Sequence, residues 1–232
     1  MTGTSVESVA SRTAVVIPAF NAARHLGGVI RDTSRFIPLS RIIVVDDGST
    51  DGTYETAARA GATALKHAEN RGKGVALNTG ILAAYDMGCE FAITIDADGQ
   101  HDAREIPRFL QKELETGADI IVGNRMADRK DMPGDRIFAN RATSWFVSVR
   151  SGIRIPDSQN GYRLIRTALY KKLKIKAARY AAESEVLIRA ALSGATIDWV
   201  PVETIYGTET SSVHPVIDTL RFLRMAVKSF FW

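Results

Sequence analysis

Two acidic residues two positions apart, Asp96 and Asp98, follow the apolar run Phe91-Ala92-Ile93-Thr94-Ile95. An extended backbone points both carboxylates to one side, and two carboxylates that close repel unless a cation lies between them. Oxygen-only ligation of Mg²⁺ or Mn²⁺ suits such a pair, with diphosphate oxygens completing the shell, and Gln100 adds a carbonyl oxygen in the same line. The competing reading of any Asp-x-Asp is a solvated turn; the seat directly behind a strand favours the metal.

A second acidic segment, Asp46-Asp47-Gly48-Ser49-Thr50-Asp51-Gly52, joins strand-end carboxylates to a glycine turn and a helix start. Asp51 is assigned the cap, which leaves Asp46 or Asp47 to face a cleft, where a carboxylate can accept from a nucleobase N–H. Asn70-Arg71-Gly72-Lys73-Gly74 is a basic turn opening a helix, and phosphate suits it because backbone N–H groups and the helix dipole converge there. It lacks the spacing of a P-loop, so ATP hydrolysis is not implied. Glu183 and Glu185 open an apolar helix and read as complements of its dipole. His101 and His214 read as supporting or surface residues, and Cys89 as core.

The elements that must carry these residues alternate. Strands are predicted at 13–18, 41–46, 63–66, 91–95 and 119–122, and helices at 22–36, 51–60, 74–87 and 104–115. This order predicts an α/β fold, one Rossmann-like, mainly parallel sheet with helices on both faces. Ligands of such sheets bind beyond the carboxyl ends of the strands. There the sequence places Pro18-Ala19-Phe20-Asn21, the 46–52 segment, Asp96 to His101, and Gly123-Asn124-Arg125. After Arg125 the alternation stops. Residues 126–135 predict a mobile loop, and 137–149 an amphipathic helix with Ile137, Phe138, Trp145, Phe146 and Val149 beside a basic rim of Arg136, Arg141 and Arg150, or else ordinary core packing.

At 232 residues, with 45% apolar content and a net charge of +4, the chain suits one packed domain and neither a disordered nor a collagen-like protein. One cysteine rules out disulfide scaffolds and thiolate zinc clusters. Charge is uneven: residues 124–189 hold 15 basic and 6 acidic side chains, net +9, while the remainder is net −5. That excess points to an anionic partner, and without a nucleic-acid-binding motif beside it a phosphate or an anionic membrane surface is expected rather than nucleic acid. Residues 1–12 read as a flexible leader without a secretory signal, and no apolar run is long enough to span a membrane. The terminal Phe230-Phe231-Trp232 reads equally as an interfacial anchor or as the stump of a longer protein. A cytoplasmic location is expected, either in solution or peripheral on the cytoplasmic membrane face.

These segments, together with Gln159-Asn160-Gly161-Tyr162-Arg163, resemble in type and order the family 2 inverting glycosyltransferases of GT-A fold. The nearest resemblance is to the dolichol-phosphate mannose synthase-like branch, which loads a sugar onto a polyprenyl phosphate, and it runs from residue 13 to about 225. It implies a nucleotide-sugar-binding half over 13–123 and an acceptor-binding half over 124–232. In the first, Pro18, Phe20, Asn21, Asp46, Asp47, Lys73, Asp96 and Ala97 would bind the nucleotide, with Asn21 standing where such enzymes often carry Glu. Asp96, Asp98 and Gln100 would hold Mg²⁺ or Mn²⁺. Asp98, Arg125 and Arg136 would carry catalysis, and Arg141, Trp145, Gln159, Tyr162 and Arg163 would meet the acceptor. Tyr206-Gly207 matches a late segment of the branch, whereas Thr204 and Thr210 replace basic residues found in relatives.

The resemblance implies a donor of the GDP-mannose or UDP-glucose type and a polyprenyl phosphate acceptor. Departure of a nucleoside diphosphate builds negative charge that a metal and arginines stabilise, so no acid catalyst is needed. A phosphate acceptor is already ionised; a hydroxyl acceptor on a polysaccharide or small glycoside needs a base. The alternatives are that hydroxyl transfer and a nucleotide-sugar-binding module without turnover.

Overall fold

The computed structural model describes residues 5–127, 132, 134–177, 181–203 and 215–232. Seven strands form one sheet: β1 (Thr13–Ala19), β2 (Ile42–Asp46), β3 (Thr63–Lys66), β4 (Phe91–Thr94), β5 (Ile120–Asn124), β6 (Arg163–Arg166) and β7 (Ile197–Pro201). Their spatial order is β3-β2-β1-β4-β6-β5-β7, parallel except for β6, which runs antiparallel to both β4 and β5. From β1 the chain winds outward to β3, then returns to β4 on the other side of β1. The crevice of a doubly wound sheet lies at such a reversal.

Alternate residues of the buried strands feed two cores. Val15, Ile17, Val44, Phe91, Ile93, Ile121 and Leu164 face α1 (Val6–Ala10), α2 (Ala23–Thr33) and α5 (Ile106–Thr116). Val16, Ile43, Val45, Ala92, Val122 and Ile165 face α4 (Lys73–Asp86), α7 (Thr167–Leu173) and α8 (Ala181–Leu192). Each fully buried Ile, Leu or Val contributes roughly 1.5–3 kcal/mol, so continuous β-branched runs are what a sheet covered on both faces requires. Helix α4 lies close against the sheet at Gly80, where a Cβ would stand 2.3 Å from Val16 Cγ1 and 3.1 Å from Val45 Cγ2. The remaining helices are α3 (Thr53–Arg59), α6 (Gly134–Ser151) and α9 (Pro215–Ser229).

Residues 1–12 are not simply a leader: Ser5 caps α1, Val9 is buried against the first core, and Thr13 Oγ1 donates to Val9 O at 2.8 Å. At the ends of the expected loop over 126–135, 125–127 form a 3-10 turn and α6 begins at Gly134, while 128–131 and 133 lie outside the described residues. Strands β6 and β7 add to the five expected. Tyr206, Gly207, Thr204, Thr210 and His214 lie outside the described residues.

Candidate functional site

Strand register brings the expected tips together. Ala19 pairs with Asp46, Asp46 with Lys66, and Val16 with Thr94, so the turns after β1, β2 and β4 open on one edge. The first two are cross-braced. Asn21, at φ 50, accepts the Thr50 N–H on its Oδ1 at 3.1 Å and gives its own N–H to Ser49 Oγ at 2.8 Å. Asp51 Oδ1 accepts from Thr53 N and Asp51 Oδ2 from Ala23 N, each at 3.1 Å. Asp51 therefore caps two helices, α3 as expected and α2 besides. Burial acts to raise the pKa of its carboxyl, but the Thr53 hydroxyl, which donates to Asp51 Oδ1, and these backbone N–H groups together hold it below the ordinary range. Pro18 is half-buried and Phe20 is 49% exposed beside this brace.

Asp46 and Asp47 differ in their fate. Asp47 is buried and faces the 71–72 turn rather than an open cleft: its Oδ2 accepts Gly72 N–H at 2.7 Å, its Oδ1 accepts Arg71 N–H at 3.0 Å, and His67 Nδ1 lies 2.7 Å from Oδ1. Two backbone N–H groups that suited a phosphate are thereby committed to a carboxylate, which corrects both expectations. Gly48, at φ 77, permits this approach, since a Cβ there would meet the Glu69 carbonyl carbon at 2.5 Å. Asp46 Oδ1 accepts Ser49 N–H at 2.9 Å, whereas its buried Oδ2 has no hydrogen-bond partner and Lys66 Nζ stands 3.8 Å away.

At the β4 tip, Lys73 Nζ lies 2.8 Å from Asp96 Oδ1, 3.0 Å from Asp96 Oδ2, and 3.0 Å from Glu183 Oε1. The last contact is an ion pair without hydrogen-bond alignment. Burial disfavours the Asp96 charge, but Lys73, reinforced by His101 and Arg125, holds its carboxyl at about 2. Lys73 titrates above the ordinary lysine range because Asp96 and Glu183 outweigh its own burial. The Asp96 N–H donates to His101 Nδ1 at 3.1 Å, which places the neutral ring's proton on Nε2. Burial lowers the His101 pKa, Lys73 and Arg125 push the same way, and Asp96 and Asp98 oppose them. Glu183, read from the sequence as a complement of its helix dipole, is instead a member of this cluster, because only the fold carries the start of α8 to the β4 tip.

Asp98 Oδ1 accepts Gln100 N–H at 2.9 Å. Asp98 Oδ2 and the Gln100 amide oxygen take no hydrogen bond among the described residues, where no group of three or more acidic, His or Cys side chains forms a ready metal cage either. The uncommitted donors are all oxygen and few. They fit Mg²⁺ or Mn²⁺, which keep waters and substrate phosphates in their shell, and Asp96 joins only by sharing with Lys73. Ala97 is buried behind them.

Arg125 follows β5. Its Nε and Nη2 donate to Asp157 Oδ2 and Oδ1 at 2.8 and 2.9 Å, and its charge helps to depress Asp96. Arg163 and Tyr162, expected at the acceptor, are buried instead. Arg163 donates to the carbonyls of Asn160, Glu183 and Ser158 at 2.7, 2.6 and 2.8 Å, so it is a strut between β6, α8 and the 158–160 turn. Tyr162 stacks between His101 and Phe109 and gives its hydroxyl to Asp102 O at 3.1 Å. Both corrections have one cause: the antiparallel β6 turns these side chains inward. Gln159 is exposed and its N–H donates to Asp157 Oδ1 at 3.2 Å.

Arg136, Arg141 and Trp145 sit on α6, all exposed, and neither arginine makes an ion pair among the described residues. Arg141 and Trp145 line an open depression of about 650 Å³ with Ser148, Val149, Ile153 and Arg154. Phe138, Trp145 and Val149 share one outward face of α6, and Leu220, Leu223 and Val227 one face of α9. The two helices meet where Phe146 packs edge-on against Phe222 and Phe230, with centroids 5.6 and 6.4 Å apart, and Arg150 Nε donates to Ser229 O at 3.1 Å. No described helix is long and apolar enough to cross a membrane.

The pattern described as Glycosyl transferase family 2 matches residues 14–174. The UDP-N-acetylglucosamine--dolichyl-phosphate N-acetylglucosaminyltransferase of Methanococcus voltae is 31% identical over 214 residues, covering 83% of this chain and 85% of that protein. The polyprenol monophosphomannose synthase of Mycolicibacterium smegmatis is 29% identical over 206 residues, covering 82% and 76%. Glucosyl-3-phosphoglycerate synthase from Mycobacterium tuberculosis, solved with Mn²⁺, uridine diphosphate and phosphoglyceric acid, superposes with a TM-score of 0.72 over 99% of this chain and 82% of that one; at 18% identity this is a likeness of fold.

Proposed function

Because the chain belongs to glycosyl transferase family 2, we propose that it transfers a hexose, with inversion, from a nucleoside-diphosphate sugar to a polyprenyl phosphate at an anionic membrane surface. The observation that carries this reading is the pairing of a strand-tip charge cluster with an adjoining helix whose outward face is apolar and basic. Relatives that act on dolichyl or polyprenyl phosphates support the acceptor class.

Phe20 offers its exposed ring to the base, and Asp46 Oδ2, which takes no hydrogen bond and has Lys66 Nζ 3.8 Å away, is the acceptor suited to a base N–H. Asp98 and Gln100 would hold Mg²⁺ or Mn²⁺, which supplies positive charge to the departing diphosphate when bound. Lys73 and Arg125 bring fixed charge to the same place. Asp96, held at about 2, is a poor base, and Glu183 is tied to Lys73. A hydroxyl acceptor would find little help in losing its proton here, whereas a phosphate monoester arrives ionised. Phe138, Trp145 and Val149, with Arg136, Arg141 and Arg154 alongside, suit a bilayer of anionic lipid.

Purified protein incubated with Mn²⁺, a polyprenyl phosphate and labelled GDP-mannose, UDP-glucose or UDP-N-acetylglucosamine should yield organic-extractable label with one donor. Label that stays in the aqueous phase on a glycoside, or no transfer with any donor, would overturn the acceptor assignment.

A further inference from the structure

Beside the core residue Val147, the buried side of α6 carries a polar row. Asn140, Ser144, Ser148 and Ser151 recur at helical spacing on the side turned to the protein, and the first three are hydrogen-bonded to the segment 155–158. Ser144 Oγ accepts Ser158 N–H at 2.9 Å, and Ser148 Oγ accepts Ile155 N–H at 2.9 Å. Ser144 Oγ also donates to Asn140 Oδ1 at 2.8 Å. That bond fixes the amide with its nitrogen toward Asp157, and Asn140 Nδ2 donates to Asp157 Oδ1 at 2.7 Å. Asp157 is fully buried and takes four more N–H bonds: Arg125 Nε, Nη2 and backbone N, and Gln159 N, at 2.8, 2.9, 3.2 and 3.2 Å.

This arrangement does more than satisfy a buried carboxylate. A bidentate fork fixes the plane of the guanidinium, so whatever sets the rotation of the Asp157 carboxylate also sets where Arg125 points. Within the fork only the Asn140 amide comes from α6; the other donors belong to Arg125 itself and to Gln159. Neither Asn140 nor Asp157 is accessible to a substrate, each being at most 2% exposed. We propose that Asn140 and Asp157 are positioning residues that aim Arg125 at the phosphates, and that through them the seating of α6 governs turnover. The inference rests on the reading that Arg125 serves donor or acceptor phosphate.

A double-mutant cycle tests it. Asn140→Ala should lower kcat by on the order of tenfold, with the thermal midpoint still well above the assay temperature. In an Arg125→Ala background the same substitution should cost nothing further, because its effect runs through a side chain already removed. Effects that multiply would overturn the proposal, since a general loosening of the fold burdens both backgrounds alike. If Asn140→Ala fails to fold, Ser144→Ala, which removes the donor that orients the amide together with the acceptor of the Ser158 N–H, should lower kcat by about threefold and show the same non-additivity. Absence of extractable product from the wild type would refute the acceptor reading instead; the cycle is then read on metal-dependent hydrolysis of the donor, with the same two outcomes.

Discussion

The two halves of the site are built on opposite plans. Around the tips of β1, β2 and β4, apolar side chains point into the cores and short polar side chains brace one turn to the next, as Asn21, Asp47 and Asp51 do. In α6 the polarity is reversed: serines and an asparagine lie inside, while Phe138 and Trp145 are 75% and 69% exposed. A donor site gains from rigidity, because charge stabilisation depends on groups fixed before reaction. An acceptor carrying a long hydrocarbon chain calls for a surface that water does not solvate well. On the proposed function, one fold would meet both demands by changing which face of an element carries its polar groups.

The sharpest way to break the contrast is at Asp98. Asp98→Ala should lower turnover by about a thousandfold, in the range of removing a strong electrostatic contact, while leaving the circular dichroism spectrum and thermal midpoint close to wild type. Turnover within tenfold of wild type would take the metal away from this position.

The next effect lies at the joint between the halves. Burial alone would raise the Asp157 pKa, but the hydrogen bonds and charge of Arg125, with the Asn140 amide, hold it below the ordinary value. A carboxyl whose folded pKa is depressed contributes stability above its unfolded pKa, about 3.9, and that contribution is lost as pH falls through the folded value. Chemical unfolding from pH 6 to pH 2.5 should therefore show a loss that is smaller by about 1–2 kcal/mol in Asp157→Asn, which cannot titrate. Parallel curves would mean that this carboxylate is not what acid attacks.

The smallest effect falls on the inverted helix. Trp145→Ser should weaken sedimentation with vesicles containing anionic lipid by about tenfold, as expected for removing one large apolar side chain from an interface, with no measurable change in thermal midpoint. Unchanged vesicle binding would move the membrane surface elsewhere.

Legibility followed the same division. Strands β1, β2 and β4 were visible because each is a run of β-branched or apolar residues, and the chemistry at their ends because Asp, Asn and Gly cluster at strand-to-helix turns. Strand β6 was hidden: Arg163-Leu164-Ile165-Arg166 begins and ends on arginine, and its antiparallel place between β4 and β5 depends on partners 41 and more residues away in sequence. The resemblance placed Tyr162 and Arg163 at the acceptor, and residue type does not reveal which way an unseen strand and the residue before it face. The apolar stripe of α6 was legible by its spacing, but nothing in the spacing marked Asn140 and the serines as buried. Their burial follows from the 155–158 segment, which only the tertiary structure lays against them.

The close approach of α4 to the sheet has a consequence at some distance. Gly80 lies seven residues along the helix from Lys73, and the absent side chain at 80 sets the gap between helix and strands. A methyl group there would wedge the helix outward and swing its first residue, with the ammonium that Asp96 and Glu183 share, away from the strand tips. In this molecule the thickness of one packing layer acts as the gauge that fixes where the Lys73 charge stands.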